Sequence, residues 1–234
     1  MKTILKLILV SGLILGMALL AGCGQKASQT GNSETNSTEQ TKTKADSVDG
    51  LTKENPIKVD KENGTVTFLA AVNGKYTVEP TRHGAVFEGG SNGQKSIFKG
   101  FVETQPLYDA LMEIGAKPGN NMTLENKEKT NVAGDALEVT VTWNGAGKEY
   151  KLDEVVKDST GKPIVIKFGG NIKASLDKKT GCLICLDSCP VGITSNTNYT
   201  YGAVEKRKEV GFTGNKDLLP ADGGLVAVKL TFRK

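Results

Sequence analysis

From residue 57 onward, hydrophobic residues occur in short segments bounded by polar turn residues. Residues 65–72 are rich in β-branched and aromatic side chains and lie between Asn63-Gly64 and Asn73-Gly74, which predicts a strand between two turns. Residues 137–143 alternate apolar and polar side chains and then meet Asn144-Gly145, a hairpin signal. Further strands are predicted at residues 85–87, 164–168 and 225–232.

One segment has the periodicity of a helix. Apolar residues recur at i, i+3, i+4 and i+7 from Leu107 to Ile114, which places them on one helical face. Thr104 is a suitable N-terminal cap and Gly115 a suitable end, so we predict a helix over about residues 104–115. The order of elements predicts an α+β fold with a β-rich, largely antiparallel sheet, this one clear helix, and an irregular segment that contains cysteines.

The N-terminus has the pattern of an export signal. Lys2 and Lys6 precede an apolar run over residues 7–22, which is short for a membrane span. The run ends in Leu20-Ala21-Gly22-Cys23, which resembles the bacterial lipobox. That resemblance implies that residues 1–22 are a lipoprotein signal peptide and that Cys23 becomes a lipid-modified N-terminus. The alternative is a plain secretory peptide with an unmodified Cys23.

Composition divides the remaining chain into two parts. From residue 24 to residue 50, 17 of 27 residues are Gly, Ser, Thr, Asn or Gln, so we expect a flexible polar tether over residues 23–55. Residues 56–234 are long enough for a single domain with a substantial core. The net charge of +4 falls to +2 without the two lysines of the signal, which argues against nucleic-acid binding. The partner predicted from the sequence is the lipid bilayer, on the outer side of the cytoplasmic membrane or in the periplasm-facing envelope.

The most chemically distinctive segment contains three closely spaced thiols. Cys182, Cys185 and Cys189 have the spacing C-x2-C-x3-C and Pro190 follows them. Such spacing lets sulfur atoms converge on a metal or a cluster. The second half resembles the end of the bacterial ferredoxin motif, but that motif contains a further cysteine which this domain lacks.

Three interpretations of these cysteines remain open, so no single cofactor is assigned. Export to an oxidising compartment favours a disulfide between two of them with one thiol left free. Zinc is the second, with a fourth ligand from His83, the only histidine in the chain, or from Asp187. The third is an iron–sulfur cluster with an open iron site.

The domain resembles a known family. The similarity is carried by Asn73-Gly74, Arg82-His83-Gly84, the stretch from Tyr108 to Asn121 and the strand at residues 139–143, and it extends over most of residues 56–234. These residues are similar to the YdjY-type domain of bacterial exported proteins, a family sometimes described as ferredoxin-like. The resemblance implies no particular activity.

The functional hypothesis is therefore a membrane-anchored extracytoplasmic lipoprotein. It would act as a non-enzymatic binding or accessory module for an unknown protein or small molecule, with a structural or redox-sensitive cysteine cluster. The alternative is an electron-transfer or metal-binding module that holds zinc or an iron–sulfur cluster on the three cysteines. The chain contains no phosphate-binding loop, zinc-protease motif or nucleophile elbow. Residues 194–201 are interpreted as an edge strand with a solvated face.

Overall fold

A computed structural model describes residues 46–233. The predicted signal peptide, Cys23 and the tether as far as residue 45 lie outside the described residues. Within the last part of the predicted tether, Val48 and Leu51 exchange two backbone hydrogen bonds of 3.1 and 2.9 Å. Both side chains are buried in a small cluster with Leu69 and Ala227. The packed region therefore begins upstream of residue 56.

Strands dominate the described chain, and we number them in sequence order. They are β1 (Ile57–Asp60), β2 (Thr65–Val72), β3 (His83–Phe87), β4 (Ser96–Gly100), β5 (Ala136–Thr142), β6 (Tyr150–Lys151), β7 (Val156–Asp158), β8 (Ile166–Phe168), β9 (Cys182–Cys185), β10 (Thr194–Asn196), β11 (Phe212–Gly214) and β12 (Leu225–Thr231). The helices are α1 (Thr104–Glu113), α2 (Leu152–Val155) and α3 (Ile172–Lys178), and a 3₁₀ turn lies at Gly74–Thr77.

Eight of the strands close into a barrel. Their order around the ring is β2-β12-β5-β8-β10-β9-β3-β4, and β4 pairs back with β2. The pairings β9–β10 and β3–β4 are parallel, and the others in the ring are antiparallel. The ring closes because β2 is long enough to hold two neighbours on one edge, β1 along Thr65–Phe68 and β4 along Ala70–Val72. Strands β7 and β11 form a separate two-stranded sheet.

The predicted α+β class is wrong. A helix does form at Thr104–Glu113, but it is one of three short helices around a closed barrel and not a layer on an open sheet. The cysteine segment, predicted to be irregular, contributes the buried strand β9 to the barrel wall. Closure depends on pairings between strands far apart in sequence, such as β3 with β9 and β2 with β12, which a local pattern of residues does not encode.

The main core is formed by large apolar side chains of several strands and of α1. Phe68, Phe98 and Phe168 belong to it, as do Leu107 and Leu111 of α1. No helix within residues 46–233 has the length and the apolar character that crossing a bilayer requires.

Candidate metal centre

Two neighbouring strands of the barrel bring the only histidine beside the cysteines. His83 begins β3 and Cys185 ends β9, and the antiparallel register places these two residues directly opposite each other. Cys182 is at the other end of β9 and is opposite Val86. The histidine is thus placed by sheet pairing, across about a hundred residues of chain.

An irregularity in this pairing decides which way the thiols face. Residues three apart on a regular strand project from opposite faces, so Cys182 and Cys185 would be separated. The register between β3 and β9 shifts twice between His83 and Val86, and such bulges re-aim side chains. As a result both cysteines lie in one small buried cluster with Cys189, apart from the main core.

The candidate ligand atoms converge on a single point. One nitrogen of His83 and the sulfurs of Cys182 and Cys185 lie within 4.8 Å of one another, and all three residues are buried. Sγ of Cys182 is 3.9 Å from Nδ1 of His83. Around a tetrahedral zinc ion, bonds of about 2.3 Å to sulfur and about 2.0–2.1 Å to nitrogen place neighbouring ligands about 3.6 Å apart. A small inward movement would therefore satisfy one ion.

Cys189 approaches from the loop that follows β9, residues 186–193. Nδ2 of Asn171 donates hydrogen bonds to the carbonyl oxygens of Cys189 at 3.2 Å and of Gly192 at 3.4 Å, which holds the loop in place. A methyl group on Gly192 would lie 2.9 Å from Sγ of Cys185 and 3.2 Å from Cβ of Cys189. Only glycine therefore lets the loop fold this closely over the thiols. We call His83, Cys182, Cys185 and Cys189 the Cys/His cluster.

The three thiols are free in the structure, and their pKa values differ from one another. Hydrogen bonds from Cys182 and Cys185 hold the pKa of Cys189 well below its usual range, with a smaller contribution from the charge of Arg82. The same contacts, together with burial, raise the pKa of Cys185 well above its usual range. The pKa of Cys182 is raised to about 12, because hydrogen bonding to Cys189 and burial outweigh the lowering effect of Cys185. Cys189 is therefore the most acidic of the three thiols.

The protonation state of His83 suits a neutral metal ligand. Burial, and then the neighbouring charge of Arg82, lower its pKa to about 4. The imidazole is therefore uncharged at neutral pH, which is the form that binds metals.

A buried ion pair borders the cluster. Nε of Arg82 donates to Oδ1 of Asp187 at 3.0 Å, the Arg82 Nη2 atom bonds the same oxygen, and the backbone N–H of Gly202 donates to Oδ2 at 3.1 Å. Burial raises the pKa of Asp187 to about 6 against the opposing effect of Arg82. The guanidinium also stacks on Tyr201, with Cζ 4.1 Å from the ring centroid. Arg82 thus supplies a fixed positive charge beside the cysteines.

A further polar group lies next to the thiols. Ser195 on β10 is opposite Cys185 in the parallel register, and its hydroxyl is buried without a hydrogen-bond partner in the described chain. The methyl group imagined on Gly192 would lie 2.9 Å from that hydroxyl as well as from Sγ of Cys185. A buried hydroxyl without a partner is costly, and an anionic sulfur would be a natural acceptor for it.

The structure brings together most of the residues singled out in the sequence. His83 converges with Cys182 and Cys185, and Cys189 lies in the same buried cluster as these cysteines. The two oxygens of Asp187 are bonded to Arg82 and Gly202, and Asp187 does not join the convergent group. Cys23 lies outside the described residues. The roles of Arg82 and Ser195 were missed. Residues 194–196, interpreted as a strand with a solvated face, are fully buried in the barrel wall.

Comparison with known proteins agrees with the resemblance seen in the sequence. The model of the YdjY domain matches residues 57–231, nearly all of the barrel. The chain is also 49% identical over 215 residues to a protein of Escherichia coli (strain K12) named "Uncharacterized protein YdjY", in an alignment that covers 92% of this chain and 90% of the relative. No solved structure matches. The extent of both matches shows that this chain belongs to the YdjY domain family.

Proposed function

We propose that this protein is a lipid-anchored extracytoplasmic module whose barrel binds one thiophilic metal ion, most simply Zn²⁺, through Cys182, Cys185, Cys189 and His83. The observation that carries the proposal is the convergence of a His83 nitrogen and the buried sulfurs of Cys182 and Cys185 within 4.8 Å, with Cys189 in the same small buried cluster as the two cysteines. Three cysteines and one histidine are a common ligand set of structural zinc sites. Nothing in the ligand set requires a larger cofactor.

The packing favours a single ion over an iron–sulfur cluster. In a cubane cluster each cysteine thiolate binds a different iron, so the sulfurs stand farther apart than around one ion. Here Sγ of Cys182 and Sγ of Cys185 lie within 4.8 Å of each other, and a methyl group on Gly192 would lie 2.9 Å from Sγ of Cys185. The alternative of an iron–sulfur cluster would require this loop to move outward.

Burial also supports a structural role for the ion. All four ligands are less than 5% exposed, and closed four-coordinate zinc sites are structural, whereas catalytic ones keep an open position. The ion would fasten β3, β9 and the loop at residues 186–193 together. An accessory or binding module, and not an enzyme, fits such a site best.

The membrane anchor rests on the sequence alone. Acylation of Cys23 at the lipobox-like site would hold the barrel at the outer side of the cytoplasmic membrane or in the periplasm-facing envelope, since several acyl chains bind a bilayer firmly. The anchor and the metal site use different cysteines, so each is testable without disturbing the other.

A pair of variants separates the two parts of the proposal. Full-length protein is purified in mild detergent, and its zinc, iron and free thiols are counted. We expect a colourless protein with about one zinc per chain. Cys185→Ser should lose the zinc and stay with the membrane fraction, whereas Cys23→Ala should keep the zinc and leave that fraction.

Each alternative has its own signature. Visible absorbance together with stoichiometric iron would show that the site holds an iron–sulfur cluster and not zinc. A metal-free protein with one titratable thiol would exclude both metal interpretations and support a disulfide between two of the cysteines. Unchanged membrane association of Cys23→Ala would rule out the lipid anchor.

A further inference from the structure

The Cys/His cluster borders a cavity that opens to the surface. The cavity has a volume of about 290 Å³, and its lining includes His83, Tyr76, Lys95, Glu205 and Lys208. This is at the lower limit of ligand pockets, which span roughly 300–1,000 Å³. It therefore suits a small ligand.

His83 separates the cavity from the thiols. Its Nδ1 faces Sγ of Cys182 at 3.9 Å, and the same buried residue lines the cavity, whereas no cysteine does. If a metal ion occupies Nδ1, the other nitrogen, Nε2, carries the proton and acts as a hydrogen-bond donor. The imidazole is then the link between the ion and a ligand in the cavity.

A tyrosine is a further lining residue with a free hydroxyl. Tyr76 is 8% exposed and lines the cavity, and its hydroxyl makes no hydrogen bond to any residue in the range 46–233. The hydroxyl remains accessible to solvent and is therefore available to a ligand.

The charges at the rim are predominantly positive. Lys95 and Lys208 both line the cavity, and neither forms an ion pair with a carboxylate of the described residues. Nζ of Lys95 donates to Oδ1 of Asn92 at 3.2 Å, which leaves its charge uncompensated. Glu205 is the one acidic side chain in the lining.

We propose that this cavity binds a small oxyanion, a carboxylate or a tetrahedral oxyanion, between Lys95, Lys208, the Tyr76 hydroxyl and the edge of His83. Two lysines face a single acidic side chain in the lining, and charge-assisted hydrogen bonds to an oxyanion are about twice as strong as neutral ones. The cavity and its lysines do not depend on a metal, but the donor role of His83 rests on the metal site proposed above. The anion would bind beside the metal centre, and the imidazole of His83 would couple the anion to the ion.

Calorimetric titration of the full-length protein with inorganic phosphate, sulfate and acetate, in an amine buffer, tests the proposal. We expect at least one of them to bind with one site per chain. Lys95→Ala should weaken that binding about tenfold, and Tyr76→Phe about threefold, in line with the loss of a charged and a neutral hydrogen bond. Lys178→Ala, an exposed lysine on α3, is the matched control and should leave binding unchanged.

The readouts separate this inference from the proposed function. Absence of binding by all three anions, or equal weakening in Lys95→Ala and Lys178→Ala, would overturn it whatever the metal content. Binding that persists in a metal-free protein would support the anion cavity while the metal site fails. In protein loaded with Co²⁺, the anion should also shift the visible spectrum of the ion, and an unchanged spectrum would overturn the contact with His83.

Discussion

Two parts of the same barrel are stabilised in different ways. Where β2 pairs with β12, seven successive residue pairs keep a regular antiparallel register, and the side chains facing the main core are apolar. Where β3 pairs with β9, the register shifts twice, and thiols, an imidazole, a guanidinium and a carboxylate are buried on or beside these strands together with apolar side chains. The regular wall needs only apolar burial, whereas the irregular wall needs every polar group to find a partner. This difference points to the irregular wall as the functional part.

The largest effect is expected in the regular wall and should not depend on metal. Phe68 is fully buried in the main core, so Phe68→Ala should lower the free energy of unfolding by about 3–5 kcal/mol through lost burial and a residual cavity. Urea denaturation with and without a chelator measures it. A loss that disappears on chelation would show that the two walls are not independent.

A somewhat smaller effect is expected from the ion pair beside the Cys/His cluster. Asp187→Asn leaves the buried guanidinium of Arg82 without its carboxylate and should cost about 3 kcal/mol, since a broken buried pair is far more costly than an exposed one. Asp177→Asn is the matched control, because its pair with Lys173 is exposed and worth at most about 1 kcal/mol. Equal losses in the two variants would contradict the role given to Arg82.

Removal of the ion should lower the stability of the protein through the irregular wall, where the ion is bound. With free zinc at about a hundred times its dissociation constant, chelation should lower the free energy of unfolding by about 2.7 kcal/mol. Cys185→Ala should already lack this contribution, so chelator should change its stability no further. An equal response of wild type and Cys185→Ala to chelator would mean that the ion binds elsewhere.

The smallest effect on stability is expected at Ser195. Its hydroxyl has no partner in the described chain, so Ser195→Ala should change the free energy of unfolding of metal-free protein by less than about 1 kcal/mol. If the hydroxyl donates to a thiolate of the metal-bound cluster, zinc affinity should fall about tenfold. Competition with a zinc indicator measures that affinity, and Ser175→Ala, another buried hydroxyl without a partner, serves as control.

The sequence predicted the regular wall well and the irregular wall poorly. The strands at residues 65–72 and 137–143 were confirmed within a residue, because alternation and turn residues are local signals. Strand β10, with the sequence Thr-Ser-Asn, is buried although its residues are polar. The side chains of Thr194 and Asn196 donate hydrogen bonds to the carbonyl groups of Leu183 and Leu186. Such strands, and hence closure of the barrel, are fixed by long-range pairing and by hydrogen-bond partners.

The sequence singled out the residues of the candidate site but did not give their geometry. The spacing of the cysteines and the single histidine identified four residues, yet no local rule places His83 opposite Cys185. Asp187 was a reasonable additional candidate by proximity in sequence, but Arg82 occupies its carboxylate. The only local signal for the role of Arg82 was its position next to His83. That position becomes informative only when the fold places Arg82 beside Asp187.

X-ray absorption at the zinc edge of the purified full-length protein tests the central claim most directly. The account predicts one zinc per chain with three sulfur neighbours at about 2.3 Å and one nitrogen neighbour at about 2.0–2.1 Å. In His83→Ala the nitrogen signal of the imidazole should vanish while the sulfur signal remains. A zinc shell without sulfur, or a protein that contains no metal when purified and takes up none when zinc is added, would contradict the account.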